Sequence, residues 1–214
     1  MTQHPLARRR AWSSLHVLAA ILLPAAAWAD PSMKGGPAPL LHYSLDPAKS
    51  TLQFDFVQAG AQNKGKFTKF PVTFDFNADN LATSKLEVTV QITSLDTGDK
   101  DRDETLRSPD LFDAAKFPQA HFSATQFLRR KAPNEIMASG KLTIRGVTRD
   151  TQVPLAFRTA NEGGQAVCYL TGDTIIHRLD FGVGQGDWKN TGSDGIANDV
   201  KVSYSLRLTA TPAP

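Results

Sequence analysis

Apolar residues return at every second position along most of this chain, and that period commits it to strands. Leu86, Val88, Val90 and Ile92 alternate with Glu87, Thr89, Gln91 and Thr93. Leu52, Phe54 and Phe56 alternate with Gln53 and Asp55, and Phe74 and Phe76 flank Asp75. Ala120, Phe122 and Ala124 are separated by His121 and Ser123. Leu142 and Ile144, then Val153, Leu155 and Phe157, continue the pattern. Near the C-terminus Val200, Val202, Tyr204, Leu206 and Leu208 share one face, with Lys201, Ser203, Ser205 and Arg207 on the other. Successive strand side chains point to opposite faces, so each run has one apolar face and one wet face.

Asn77-Ala78-Asp79-Asn80, Pro133-Asn134 and Glu162-Gly163-Gly164 favour chain reversal between the runs. The spacing predicts about eight strands, near 50–57, 65–76, 85–94, 120–129, 135–144, 151–159, 166–177 and 199–209. Short links make neighbours antiparallel. Eight such strands stack as a sandwich or close as an up-and-down barrel. Closure removes exposed edges and can leave room inside for one ligand. Two stretches break the period. Between Thr97 and Phe117 the chain is polar, then carries Leu106, Leu111, Phe112 and Phe117 at wider spacing. Asp99 or Asp101 is placed to cap a short helix there, and Pro109 to start a further turn. This segment is expected as a helical excursion over one barrel end. The Gly- and Asn-rich stretch from Gly182 to Asn198 is expected as a long loop suited to a lid.

The first residues read as an export leader. Arg8, Arg9 and Arg10 precede the apolar stretch Leu15 to Ala27, too short to span a bilayer comfortably. Ala27-Trp28-Ala29 offers small residues where a signal peptidase needs them. Residues 1–29 are therefore expected to be a signal peptide and the destination the periplasm; an uncleaved anchor is the alternative. Residues 30–41, rich in Pro and Gly, read as a flexible tether, 42–210 as one domain, and 211–214 as a tail. The whole chain has 24 Lys and Arg against 21 Asp and Glu, and three of those arginines lie in the leader. The mature chain is thus balanced, which gives no support for nucleic-acid binding. Cys168 is the only cysteine and lies in an apolar run, so a buried inert thiol and no internal disulfide are expected.

Several motifs, in order, resemble the YceI-like family, lipocalin-like periplasmic proteins that bind polyisoprenoids or related long-chain lipids. They begin with Tyr43-Ser44-Leu45-Asp46-Pro47, Gly65-Lys66-Phe67 and Phe74-Asp75. Ser94-Leu95-Asp96-Thr97-Gly98, Arg102-Asp103, Leu111-Phe112-Asp113 and Lys116-Phe117-Pro118 follow in the excursion. Gly140-Lys141-Leu142-Thr143-Ile144-Arg145-Gly146-Val147-Thr148 and Arg178-Leu179-Asp180-Phe181-Gly182-Val183 complete the set. The resemblance runs from about Tyr43 to Leu208, with a departure at Leu111, where the family often has a second aromatic. It implies an all-β fold, an extended eight-stranded antiparallel barrel with an apolar pocket. It also implies a homodimer, no catalytic set and no required cofactor. The ligand would be a polyisoprenoid or isoprenoid quinone, with a fatty-acid-like lipid as the alternative.

Burying a methylene of such a chain gains about 0.8 kcal/mol, which an aliphatic and aromatic lining supplies without hydrogen bonds. The expected lining is Phe54, Phe56, Phe67, Phe74, Val88, Ile92, Phe122, Leu142, Ile144, Phe157 and Phe181. Leu106, Phe112 and Phe117 are expected to cover one end. Arg102 and Asp103 are the head-group candidates, or else a structural ion pair fastening the excursion. His42, His121 and His177 form no close pair, so no metal site is expected. The Gly182-x-Gly184-x-Gly186 run opens no helix and is not read as a nucleotide loop. Two other classes compete. An outer-membrane barrel would need its apolar residues outside. An enzyme or accessory factor on an oily substrate would use groups such as Arg102, Asp103 and His177. No spaced nucleophile and base stands out to support it.

Overall fold

The alternating runs form one sheet rolled into a ring. The computed structural model describes residues 39–211. The expected signal peptide, its cleavage site, and most of the tether and tail lie outside the described residues. The chain makes β1 (Leu41–Leu45), β2 (Thr51–Gln58), β3 (Ala61–Phe67), β4 (Val72–Phe76), β5 (Lys85–Gln91) and β6 (Leu95–Asp96). A helix α1 (Lys100–Arg107) follows, then β7 (Gln119–Arg129), β8 (Glu135–Ile144), β9 (Val147–Glu162), β10 (Gln165–His177) and β11 (Asp199–Thr211). The barrel thus takes Leu41 from the expected tether and Thr211 from the expected tail.

The first six segments are halves of three longer strands. β1 pairs with β4 while β2 pairs with β3, so 41–58 and 61–76 form one interrupted hairpin. Beyond β3 the chain keeps pairing, since Thr89 and Gln91 donate to the carbonyls of Pro71 and Lys69 at 3.0 Å. β5 and β6 are likewise one strand, pairing with β4 and β3. Eight long antiparallel strands result, and β11 closes the ring on β1 through Leu45↔Leu208 and on β2 through Ser205↔Thr51. Closure is fastened by Arg207, which pairs with Asp46 at 2.6 Å and with Glu162 at 2.8 Å. The expected first strand, 50–57, is extended back to Leu41. β1 alternates as well, with Leu41, Tyr43 and Leu45 on the core face, and Tyr43 is the one residue on it that is fully buried.

Apolar positions face inward and the alternate ones face water, the reverse of a membrane barrel. Lys201 pairs with Asp173 and Lys141 with Asp150 on the outside. No helix among the described residues is long and apolar enough to cross a membrane. The interior divides in two. Tyr43, Phe74, Phe76, Phe127, Ile136, Ala138, Cys168 and Leu208 pack solidly at the end where β9 turns into β10. Phe54, Phe56, Ile92, Leu106, Leu111 and Phe181 surround looser space at the end under α1.

Cys168 sits in the solid half, and burial pushes its thiol up to about 12 from 9.0. It is therefore expected to resist alkylation in the folded protein and react fully in urea. The raised value also fixes a sign. Below pH 9 both states hold the proton and the thiol contributes no pH dependence. Between pH 9 and 12 only the unfolded thiol ionises, so stability falls as pH rises, by up to about 1.4 kcal/mol per pH unit. Urea midpoints for the protein and a Cys168→Ala variant over that range check it: the difference between them should shrink as pH rises.

Candidate functional site

The space under α1 is a cavity of about 220 Å³ with aliphatic and aromatic walls. Eleven of the fourteen expected lining residues border it: Phe54, Phe56, Phe67, Val88, Ile92, Leu106, Phe112, Phe122, Leu142, Ile144 and Phe181. The strand period puts them there. Val88 stands opposite Phe122, which stands opposite Leu142, so one ring of side chains crosses β5, β7 and β8. Phe54 packs on Phe67 with ring centroids 5.2 Å apart, and Phe67 meets Phe112 edge-on at 6.5 Å.

Three expected residues are elsewhere. Phe74 faces inward but belongs to the solid half, stacked on Phe76 at 4.7 Å. Phe157 meets Phe76 edge-on at 5.0 Å at the same end. Phe117 does not cover the mouth; its ring rests on Gly146 in the β8–β9 turn, outside the cavity. Phe74 and Phe157 have the right face but the wrong height along the barrel, which a period of two does not report. Conversely, Val200, Val202, Tyr204 and Leu206 of β11 line the cavity, as do Leu52, Val90, Ile176 and Ile196. Most of these lie on alternating faces readable in the sequence; Ile196 lies in the long loop and gives no such signal.

The excursion forms as its caps require. Asp99 accepts from the Arg102 N–H at 3.1 Å, and Asp101 and Asp103 lie in the first turn, where the helix dipole favours carboxylates. Leu106 and Leu111 then face the cavity and close it from above. Asp103 is corrected as a head-group candidate. Its carboxylate is buried and accepts from the Thr97 N–H at 2.9 Å and the Thr97 hydroxyl at 2.7 Å, with Arg107 at 3.8 Å. It fastens the start of α1 to the end of β6. Arg102 also lies outside the cavity, beside Asp99 at 3.7 Å. It borders an outer cleft with Gln58, Asp101, Thr105 and Trp188, and Phe56, Leu106, Leu111 and Ile196 form the wall between that cleft and the cavity. Asp103→Ala should therefore cost about 1–2 kcal/mol, since it takes the acceptor from two part-buried Thr97 donors, and leave ligand affinity unchanged below the unfolding range. Chemical denaturation and a binding titration on the same sample check both halves.

The long loop is locked by a residue that sequence analysis names only as the start of a motif. Arg178 is 5% exposed and donates to the carbonyls of Ala197 at 3.0 Å, Val183 at 2.8 Å and Ile196 at 2.8 Å. Burial lowers its pKa. Gly184 makes room for it: φ there is +118°, and a Cβ would collide with the guanidinium. This knot holds 182–198 across the cavity end. Among the described residues no group of three or more His, Cys, Asp or Glu is placed to hold a metal. His42, His121 and His177 each pair with one carboxylate, Asp75, Glu87 and Asp199, on three separate strands.

Fold and site together define a lipocalin-like barrel, antiparallel, closed, solid at one end and hollow at the other. The YceI-like domain model matches residues 43–208, and the chain belongs to that family. A UPF0312 protein of Vibrio campbellii is 33% identical over 143 residues, 65% of this chain and 71% of that one. Protein YceI of Escherichia coli O157:H7 is 42% identical over 85 residues, 40% of this chain and 44% of that one. The crystal structure of BcnA from Burkholderia cenocepacia superposes with a TM-score of 0.69 at 30% identity, covering 78% of this chain and 99% of that one. A polyisoprenoid binding domain from Saccharophagus degradans shares the fold, with a TM-score of 0.61 at 16% identity over 81% of this chain and all of that one.

Proposed function

We propose that this protein binds and carries one long apolar lipid, a polyisoprenoid or isoprenoid quinone, in the cavity under α1, and does so without catalysis. The carrying observation is a continuous wall of Phe, Leu, Ile and Val side chains around open space at the centre of a folded barrel. Empty apolar volume is costly to maintain, because its lining forgoes dispersion contacts that a filled core would make. A chain of methyl-branched hydrocarbon restores those contacts and leaves water. The family membership supports the same reading, since one relative by fold is a polyisoprenoid binding domain. The reading includes export through the expected leader, a periplasmic station, a homodimer, and brief contact with a membrane that gives or takes the lipid.

Trp188 provides the test. It is the one tryptophan outside the expected leader, and it packs at the edge of the cavity cluster. Titration with a short-chain ubiquinone should quench it saturably. Val202→Asp, which puts a carboxylate on the cavity wall, should abolish the quenching, while Lys201→Asp on the outer face should not. Equal quenching in all three proteins would contradict the reading.

A further inference from the structure

The ladder between β9 and β10 stops short. It pairs Gln165–Thr171 with Glu162–Ala156. Beyond that point β9 runs back to Val147 paired only with β8, and β10 runs on to His177 paired only with β11. The sequence explains the stop. Gly163 and Gly164 both have positive φ, +60° and +86°, the two-residue turn that makes Glu162 and Gln165 a hydrogen-bonded pair. Every second pair then exchanges hydrogen bonds, and the one after Ala156 and Thr171 would be Pro154 with Asp173. Proline has no N–H to give, and the Pro154 carbonyl is taken by the Tyr204 hydroxyl. The phenol reaches it across Gly172, where a Cβ would lie 2.5 Å from its oxygen. The two strands part there.

The parting opens onto the cavity. Thr151 and Val153 of β9, and Thr174 and Ile176 of β10, line the cavity and are each part-exposed. Higher on the same strands, Leu155 and Leu170 face the same interior and are 3% and 0% exposed. Val88, Val90, Leu142 and Ile144 of the lining are as exposed between paired strands, so it is the unpaired backbone that sets this part of the wall apart. Thr151 and Thr174 put hydroxyls into an otherwise apolar lining at this place. Ile175 stands on the outer lip, 47% exposed.

We infer that this slot is a lateral portal, through which the apolar chain passes sideways between β9 and β10. The inference rests on the lipid-carrier reading. The end under α1 is the poorer route, because Leu106, Leu111 and Phe181 are buried across it and Arg178 holds the loop with three hydrogen bonds. At the slot the backbone is already unpaired and nothing has to be broken.

Two disulfide staples distinguish the routes. Gln152→Cys with Ile175→Cys places thiols on residues that would face one another if the ladder continued, so oxidation closes the slot. Val57→Cys with Ala197→Cys staples the long loop to β2, where the Ala197 N–H already donates to the Val57 carbonyl at 2.9 Å. Cys168 is fully buried and leaves the introduced pair as the reactive thiols. Each protein is loaded with a short-chain ubiquinone, excess phosphatidylcholine vesicles are added, and release is followed as recovery of Trp188 fluorescence. The slot staple should slow release at least tenfold, reversed by reductant, while the loop staple changes it less than twofold. Unchanged release with the slot closed, or a tenfold effect from the loop staple, overturns the portal. A parent protein that never binds the quinone overturns the carrier reading instead. Should the slot thiols fail to oxidise, Thr174→Phe fills the same gap and must slow release as strongly for the inference to stand.

Discussion

Replacing Phe74 by alanine is expected to lower the melting temperature by roughly 10 °C or more, the largest effect of any single truncation in the barrel interior. Phe74 is wholly buried and its ring contacts Phe76 at 4.7 Å and Phe127 at 5.8 Å. No space adjoins it, so the substitution loses the transfer energy of the ring and leaves a void, about 3–5 kcal/mol in all. Phe122→Ala is the informative partner. Phe122 is 7% exposed and already borders the cavity, so its removal enlarges a space that exists rather than creating one. Its cost should be about half, while it should alter ligand binding far more than Phe74→Ala does. Thermal unfolding with and without ligand reads both. Equal losses for the two phenylalanines would mean that the barrel is not solid at one end and hollow at the other.

Arg178→Leu is the second large effect. It deprives three backbone carbonyls of their donor in a place that water does not reach freely. An orphaned buried acceptor costs about 1–3 kcal/mol, so a loss on the order of 3 kcal/mol or more is expected. The damage is local in form: residues 182–198 should become sensitive to limited proteolysis and exchange their amides faster, while the β8–β9 hairpin stays protected. Arg178→Lys should rescue little, since one ammonium cannot reach three carbonyls that a planar guanidinium spans. Full rescue by lysine would show that charge, rather than the fork geometry, holds the loop.

The sheet was readable because the alternation is strict wherever one strand face is buried and the other wet. Eight strands, their antiparallel order and the helix capped by Asp99 follow from that and from the turn residues. β1 alternates too, through Leu41, Tyr43 and Leu45, but the turn at Pro47–Lys49 separates it from the longer run at 51–58, so the period alone does not join the two into one strand. The expected strand 65–76 is bent at 68–71 and still pairs across the bend, a detail below the resolution of a period. The site was legible by face but not by height. Phe54, Phe122 and Phe74 all point inward, and only their position along the barrel axis decides which meet a cavity and which meet one another. Asp103 beside Arg102 looked like a polar site because the sequence does not show that Thr97 folds back onto the carboxylate. Arg178 gives no signal of its role in the sequence because the carbonyls it serves are 5 to 19 residues away. Pro154 carried its signal openly: a proline within the expected strand 151–159 marks a ladder that cannot continue.

The central claim is that the hollow half holds a lipid chain. Native mass spectrometry of the protein, purified without detergent from the cells that make it and followed by organic extraction, tests this most directly. The account predicts a stoichiometric mass addition that extracts as a polyprenyl or quinone species, and its loss in Val202→Asp. A clean apo protein that also refuses added quinone, polyprenol and fatty acid would contradict it.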